Sequence, residues 1–139
     1  MKKRLTVLIT TLALLAAVFC GLWLFEKNNL SEMEQLCQIN ASQALVDFRQ
    51  YKEMGAEGDY WYGVSNYKAF MNTWLALEGH SSAEYLWCNS VYGSMVLSPE
   101  TVQAHIDELL IAMEIIGVDY TDPNGYLRIS ELNNLLKHS

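Results

Sequence analysis

The order of apolar and polar positions divides the chain into one unbroken apolar run followed by a series of amphipathic segments. From Leu5 to Phe25 no residue is charged, and only Thr6, Thr10, Thr11 and Gly21 depart from apolar character. A run of that length predicts a helix covering the ~30 Å hydrocarbon core of a bilayer at ~1.5 Å per residue. Behind it, Met33, Leu36, Cys37, Ala41, Ala44, Leu45 and Phe48 recur at three- and four-residue steps, one apolar helix face. Ser31 with Glu34 forms the capping-box pattern and Gly55 supplies a stop, which predicts a helix over residues 31–54. Three glycines in residues 55–63 predict a loop.

Further helices are predicted over 65–78, with Tyr67, Phe70, Met71 and Trp74 on one side, and over 81–97, opened by Ser81 and Glu84. The triplet Ser98-Pro99-Glu100 combines a cap, a first-turn proline and a first-turn acid, and it starts a helix running to Gly117. In the tail, residues 121–125 read as a turn and 126–129 as a short extended piece. A last helix, capped by Ser130, carries Leu132, Leu135 and Leu136. Period-two alternation is confined to 126–129, so the expected fold is all-α: a single N-terminal transmembrane helix followed by a compact domain of four to five helices. The expected divisions are a cationic tip and anchor over 1–25, a linker over 26–30 and an acidic domain over 31–139.

Charge sharpens this division. Lys2, Lys3 and Arg4 precede the apolar run, whereas all 16 acids and only six of the nine bases lie from Glu26 onward. The leading cations predict a cytoplasmic N-terminus and an extracytoplasmic domain on a single-pass cell-membrane protein, with residues 5–25 in the bilayer. A cleaved signal peptide has a shorter apolar region, ~7–15 residues. Lipid attachment at Cys20 favours a small preceding residue, and here that residue is Phe19. The uncleaved anchor is therefore the preferred reading. The acidic remainder argues against nucleic-acid binding, which needs clustered Lys and Arg, and points to a protein partner with a basic surface.

Candidate chemistry is sparse. Cys37 and Cys88 are a candidate disulfide in an oxidising compartment, and two buried thiols are the alternative. No C-x-x-C or H-x-x-x-H pattern provides a metal site, and no cofactor is expected. His105 and Glu108 share a helix face, as either a proton relay or an exposed pair. The tail resembles the calcium loop of the EF-hand family over 120–131. With Gly125 at the sixth position, Asp122 and Asn124 fall at the third and fifth and Glu131 at the twelfth, but Tyr120 stands where the first acid belongs. Ser65 and Lys68 resemble the S-x-x-K of penicillin-binding proteins and β-lactamases, without the accompanying K-T-G. A helix-capping Ser65 accounts for the same letters.

The compositional oddity is the run Asp59, Tyr60, Trp61 and Tyr62 in the glycine-flanked loop. Three successive loop aromatics cannot all point inward, so the run is the candidate binding surface, for a protein or a wall sugar; the other reading is a plug over the bundle end. The expected function is a non-catalytic module for protein interaction or scaffolding at the membrane surface. The alternative is a ligand-binding module, through calcium at 120–131 or a sugar at 59–62.

Overall fold

The computed structural model describes residues 2–79 and 82–138, with side chains from residue 11 onward. Its helices are α1 (Lys2–Met54), α2 (Glu57–Glu78), α3 (Ala83–Leu97), α4 (Pro99–Ala104), α5 (Ile106–Ile116) and α6 (Pro123–His138), and no strand occurs among the described residues. The all-α expectation holds. The chain divides into two compact units, Met1–Glu32 and Met33–Ser139.

In the first unit, every residue from 11 to 30 is exposed, including Leu14, Val18, Phe19, Leu22 and Trp23. α1 contains a segment long and apolar enough to cross a membrane. Residues 26–30 and Ser31 fall inside α1, so Ser31 opens no helix of its own. Residues 26–34 contain neither proline nor glycine, and without a breaker the local cap pattern has nothing to terminate.

The second unit buries one continuous core. Cys37, Ala41, Ala44 and Phe48 of α1 face Tyr60, Val64, Tyr67, Phe70, Met71 and Trp74 of α2. The small residues on α1 leave room for the large ones on α2. Gly63 continues this fit: a Cβ there would lie 2.7 Å from the Phe48 ring. α3 contributes Cys88, Val91 and Met95, and α6 packs on both α3 and α5. Buried Asn133 of α6 accepts a 2.7 Å hydrogen bond from Ser90 of α3.

Two helix ends agree with the glycine signals: Gly55 and Gly79 take φ of +70° and +72°, the left-handed conformation glycine adopts without steric cost. Three expectations do not hold. The helix expected over 99–116 breaks at His105 (φ −112°, ψ 30°), giving α4 and α5. α2 begins at Glu57 rather than at residue 65, so residues 57–63 of the expected loop are helical and only Gly55 and Ala56 separate α1 from α2. The extended piece at 126–129 is also helical, within α6. At the last two sites a three-to-four-residue apolar spacing overrode local signals: Tyr60, Gly63, Val64 and Tyr67 form one buried face, and Gly125, Tyr126, Ile129 and Leu132 another.

Candidate functional site

The run Asp59–Tyr62 occupies the first turns of α2, and helical geometry sorts its members. Tyr60 is core, a correction to its placement on the candidate surface. Its ring lies 5.3 Å edge-on from Tyr51 and 6.0 Å from Phe48, and its hydroxyl donates to the Met95 carbonyl at 3.2 Å. Burial pushes the Tyr60 phenol well above its ordinary value, with Tyr51 and Glu100 adding to the effect. Trp61 packs edge-on against Tyr60 at 5.3 Å yet stays 40 % exposed, and Tyr62 is 67 % exposed. Glu57 and Asp59 sit in the same first turn, where carboxylates are stabilised by the helix dipole. The remaining surface is thus two aromatics beside two acids, on a helix pinned by the Tyr60 anchor.

The larger aromatic assembly crosses α2 and α6. Trp74 lies between Phe70 (5.9 Å, interplanar 8°) and Tyr126 (4.6 Å, 19°). The Tyr126 hydroxyl donates to the Tyr120 carbonyl. Burial drives the Tyr126 phenol strongly upward, and nearby Cys88, Cys37, Tyr120 and Glu78 add to it. Beside this stack is an open cleft of about 240 Å³ lined by Trp74, Glu78, Ser82, Glu84, Tyr120 and Tyr126. Its walls offer carboxylate oxygens and ring edges. Trp74 is only 6 % exposed and already stacks on Phe70 and Tyr126, so it offers a sugar or an ammonium group little open ring surface. Sequence reasoning missed this cleft, because Trp74 and Tyr126 meet only once residues 123–129 are helical.

The cysteines are free, and of the two readings of Cys37 and Cys88 the structure has the pair of buried thiols rather than the candidate bridge. The Cys37 thiol points to the Phe70 carbonyl at 3.9 Å, and Cys88 is buried beneath Tyr67. Burial raises both thiols to about 12; for Cys88 a hydrogen bond from Tyr67 partly offsets the rise and Glu84 adds to it. Thiols held protonated in this way are packing groups rather than nucleophiles.

The EF-hand resemblance fails on geometry. A calcium loop needs an open turn around its sixth position, and Gly125 instead lies buried in α6, where an added Cβ would collide with Ile116. Asp122 accepts from the Asn124 backbone N–H at 2.9 Å, in the first turn of α6. Glu131 pairs with Arg128 at 2.8 Å. No group of three or more metal-ligating side chains occurs among the described residues. Thr121 donates to Asp119 from both its backbone N–H and its hydroxyl, which lowers the Asp119 carboxyl.

The remaining motif residues also have structural roles. Ser65 is exposed within α2 rather than capping it, and Lys68 lies over the Tyr92 ring at 4.5 Å. His105 sits 3.6 Å from Glu108 at the α4–α5 break. His80 and Ser81 lie outside the described residues, and the next serine, Ser82, caps α3 by accepting from the Tyr85 N–H. A second unforeseen feature is a clamp from α1. Gln38 and Ser42 each donate to the Gly117 carbonyl at 2.6 Å, and the Gln38 amide oxygen accepts from the Tyr120 N–H at 2.9 Å. The end of α5 is thereby satisfied from α1.

No family model, curated protein or solved structure matches this chain.

Proposed function

We propose that the chain is a single-pass membrane protein whose acidic helical domain is a non-catalytic interaction module on the extracytoplasmic side. The apolar segment of α1 supports the anchor, and Lys2, Lys3 and Arg4 favour a cytoplasmic N-terminus. The observation that carries the interaction role is the first two turns of α2. Trp61 and Tyr62 stay exposed beside Glu57 and Asp59, while Tyr60 fixes their backbone in the core. Rigid exposed aromatics flanked by acids suit a partner with a basic, partly apolar surface. The thiols, held protonated by burial, lend no support to covalent catalysis.

The test is a photo-crosslinking amino acid in place of Tyr62 in the full chain in its own membrane. One discrete adduct, lost on Trp61→Ala and weakened by high salt, is the expected result. Labelling at Tyr62 no different from labelling at exposed Asn134 would sink the proposal.

A further inference from the structure

Tyr60 gathers one end of the helical domain. Its ring lies against Tyr51 near the end of α1, and its hydroxyl bonds the Met95 carbonyl near the end of α3. Glu100 of α4 is close enough to raise its phenol. The ends of α1 and α3 and the starts of α2 and α4 therefore meet here. Exposed apolar residues come from three of them: Met54 closes α1 at 74 % exposure, and Leu97 closes α3 at 84 %, beside Trp61 of α2.

The charge at this end has one sign. Residues 53–67 and 85–104 contain four acids, Glu53, Glu57, Asp59 and Glu100, and no Lys or Arg. Glu53, Glu57 and Glu100 are exposed, one each on α1, α2 and α4. Each is close in sequence to an exposed apolar residue. Glu53 adjoins Met54, Glu100 follows Leu97 by three residues, and Glu57 shares a helix face with Trp61 four residues on. Lys52, the nearest base in sequence, pairs with Asp107 of α5 at 2.5 Å.

We infer that this end receives a basic amphipathic helix of another protein, with its apolar stripe on Met54, Trp61 and Leu97 and its Lys or Arg borders toward Glu53, Glu57 and Glu100. The inference rests on the interaction reading above and names the partner of that surface.

Charge selects this occupant. Anionic lipid headgroups, nucleic acid and a second copy docked by the same end would each bring negative charge against the acids. Backbone geometry selects the helix. No strand occurs among the described residues, so an extended peptide has no sheet edge to pair with and would lose hydrating water from its N–H and C=O groups unreplaced. A helix satisfies its own backbone and presents an apolar stripe with polar borders on both sides. Acids on three elements, each beside an apolar side chain, match a stripe bordered by bases. Met54 adds an adaptable side chain of the kind that fits the relief of an apolar helix face.

The test extends the Tyr62 crosslinking to Leu97 and Met54, in the full chain in its own membrane, with exposed Asn134 as the control position. Both positions should label the same protein as Tyr62. The mapped segment should carry apolar residues at three- and four-residue steps, bordered by Lys or Arg. A helix-forming peptide of leucine and lysine, about 18 residues or five turns long, should suppress the Leu97 adduct at least tenfold more efficiently than a scrambled peptide of the same composition. Glu57→Gln with Glu100→Gln should cut the adduct by a similar factor and leave the helical circular dichroism unchanged. If Tyr62 labels a partner while Leu97 and Met54 label no more than Asn134, the inference fails and the interaction reading stands without it. An adduct to lipid, to a second copy or to a segment without bases overturns the basic helix. Equal suppression by the scrambled peptide, or an adduct indifferent to the double substitution, does the same. Labelling at Tyr62 no different from Asn134 overturns the reading and the inference together.

Discussion

Two stretches of α1 obey opposite rules. From residue 11 to 25 the helix is apolar on all sides and every residue is exposed; from 33 to 54 one face, Cys37, Ala41, Ala44 and Phe48, is fully buried, while Leu36, Ile39 and Val46 stay exposed elsewhere on the helix. The first stretch is long and apolar enough to cross a membrane, where its surroundings would be as apolar as its side chains. The second needs only neighbouring helices, and α2 and α5 supply them. Hydropathy summed over length identifies the first stretch and periodicity identifies the second. Neither measure alone reads both.

The strongest way to break the contrast is to place charge in the first stretch. Leu14→Arg together with Val18→Arg should cost insertion about 5–7 kcal/mol, at ~2.5–3.5 kcal/mol per Arg near the centre of a span. The protein should move to the soluble fraction on alkaline extraction, while the unfolding midpoint of the helical domain stays where it was. If the membrane fraction is unchanged, the first stretch is not a span.

The converse experiment injures the core and spares the first stretch. Trp74 is buried and stacks on Phe70 and Tyr126, so Trp74→Ala should cost about 3–5 kcal/mol. Urea unfolding of the full chain in detergent, followed by near-ultraviolet circular dichroism, reads the loss; membrane extraction should not change. A milder injury is Gly125→Ala. Alanine favours helix over glycine by ~1 kcal/mol, but the new Cβ would meet Ile116 and Ile115. The expected result is a net loss of about 1–3 kcal/mol, the range of core overpacking. A gain in stability would show that α6 can retreat from α5.

Buried thiols give the core a pH signature that the exposed stretch lacks. Cys88 rises from 9.0 to about 12 on folding. A group raised in the folded state contributes stability that is complete below its unfolded pKa and is lost as pH climbs toward the folded one. Stability should therefore fall between pH 9 and 12, with Cys88 alone accounting for about 1 kcal/mol between pH 9 and 10. Cys88→Ala should reduce that slope without abolishing it, because Cys37 is raised over the same range, and an unchanged slope would place the alkaline sensitivity elsewhere, in Cys37, Tyr67 or Tyr126.

Much of the fold was legible in sequence, and the errors share one cause. The apolar run, the stops at Gly55 and Gly79 and the start at Pro99 rest on residues whose backbone preferences are strong in any context. The loop expected at 55–63 rested on its glycines, and the extended piece at 126–129 on period-two alternation behind a turn ending at Gly125. In both, the decisive glycine serves close packing: Gly63 lets Phe48 approach and Gly125 admits Ile116. A glycine required for proximity looks, in sequence, the same as one required for a turn. The same confusion produced the calcium-loop resemblance, since Gly125 was its pivot. The clamp from Gln38 and Ser42 was invisible for a different reason: its partner, the Gly117 carbonyl, is backbone and lies more than seventy residues away.

The smallest expected effect bears on the candidate surface, where three consecutive aromatics have three different environments. Tyr60 is fully buried with its hydroxyl bonded to Met95, Trp61 lies across it with its outer edge free, and Tyr62 is two-thirds exposed. Truncating Tyr60 removes a core side chain and leaves a buried carbonyl without its donor, so Tyr60→Ala belongs with Trp74→Ala in size. Tyr62→Ala removes neither packing nor a buried partner, and its effect on the urea midpoint should stay within about 0.5 kcal/mol. Selection for folding alone therefore leaves the identity of residue 62 nearly free. If Tyr62→Ala nevertheless abolishes the partner adduct while the midpoint stays put, the aromatic is kept for contact. If Tyr62→Ala costs as much stability as Tyr60→Ala, the run is a cover over the bundle end and the interaction surface lies on another helix.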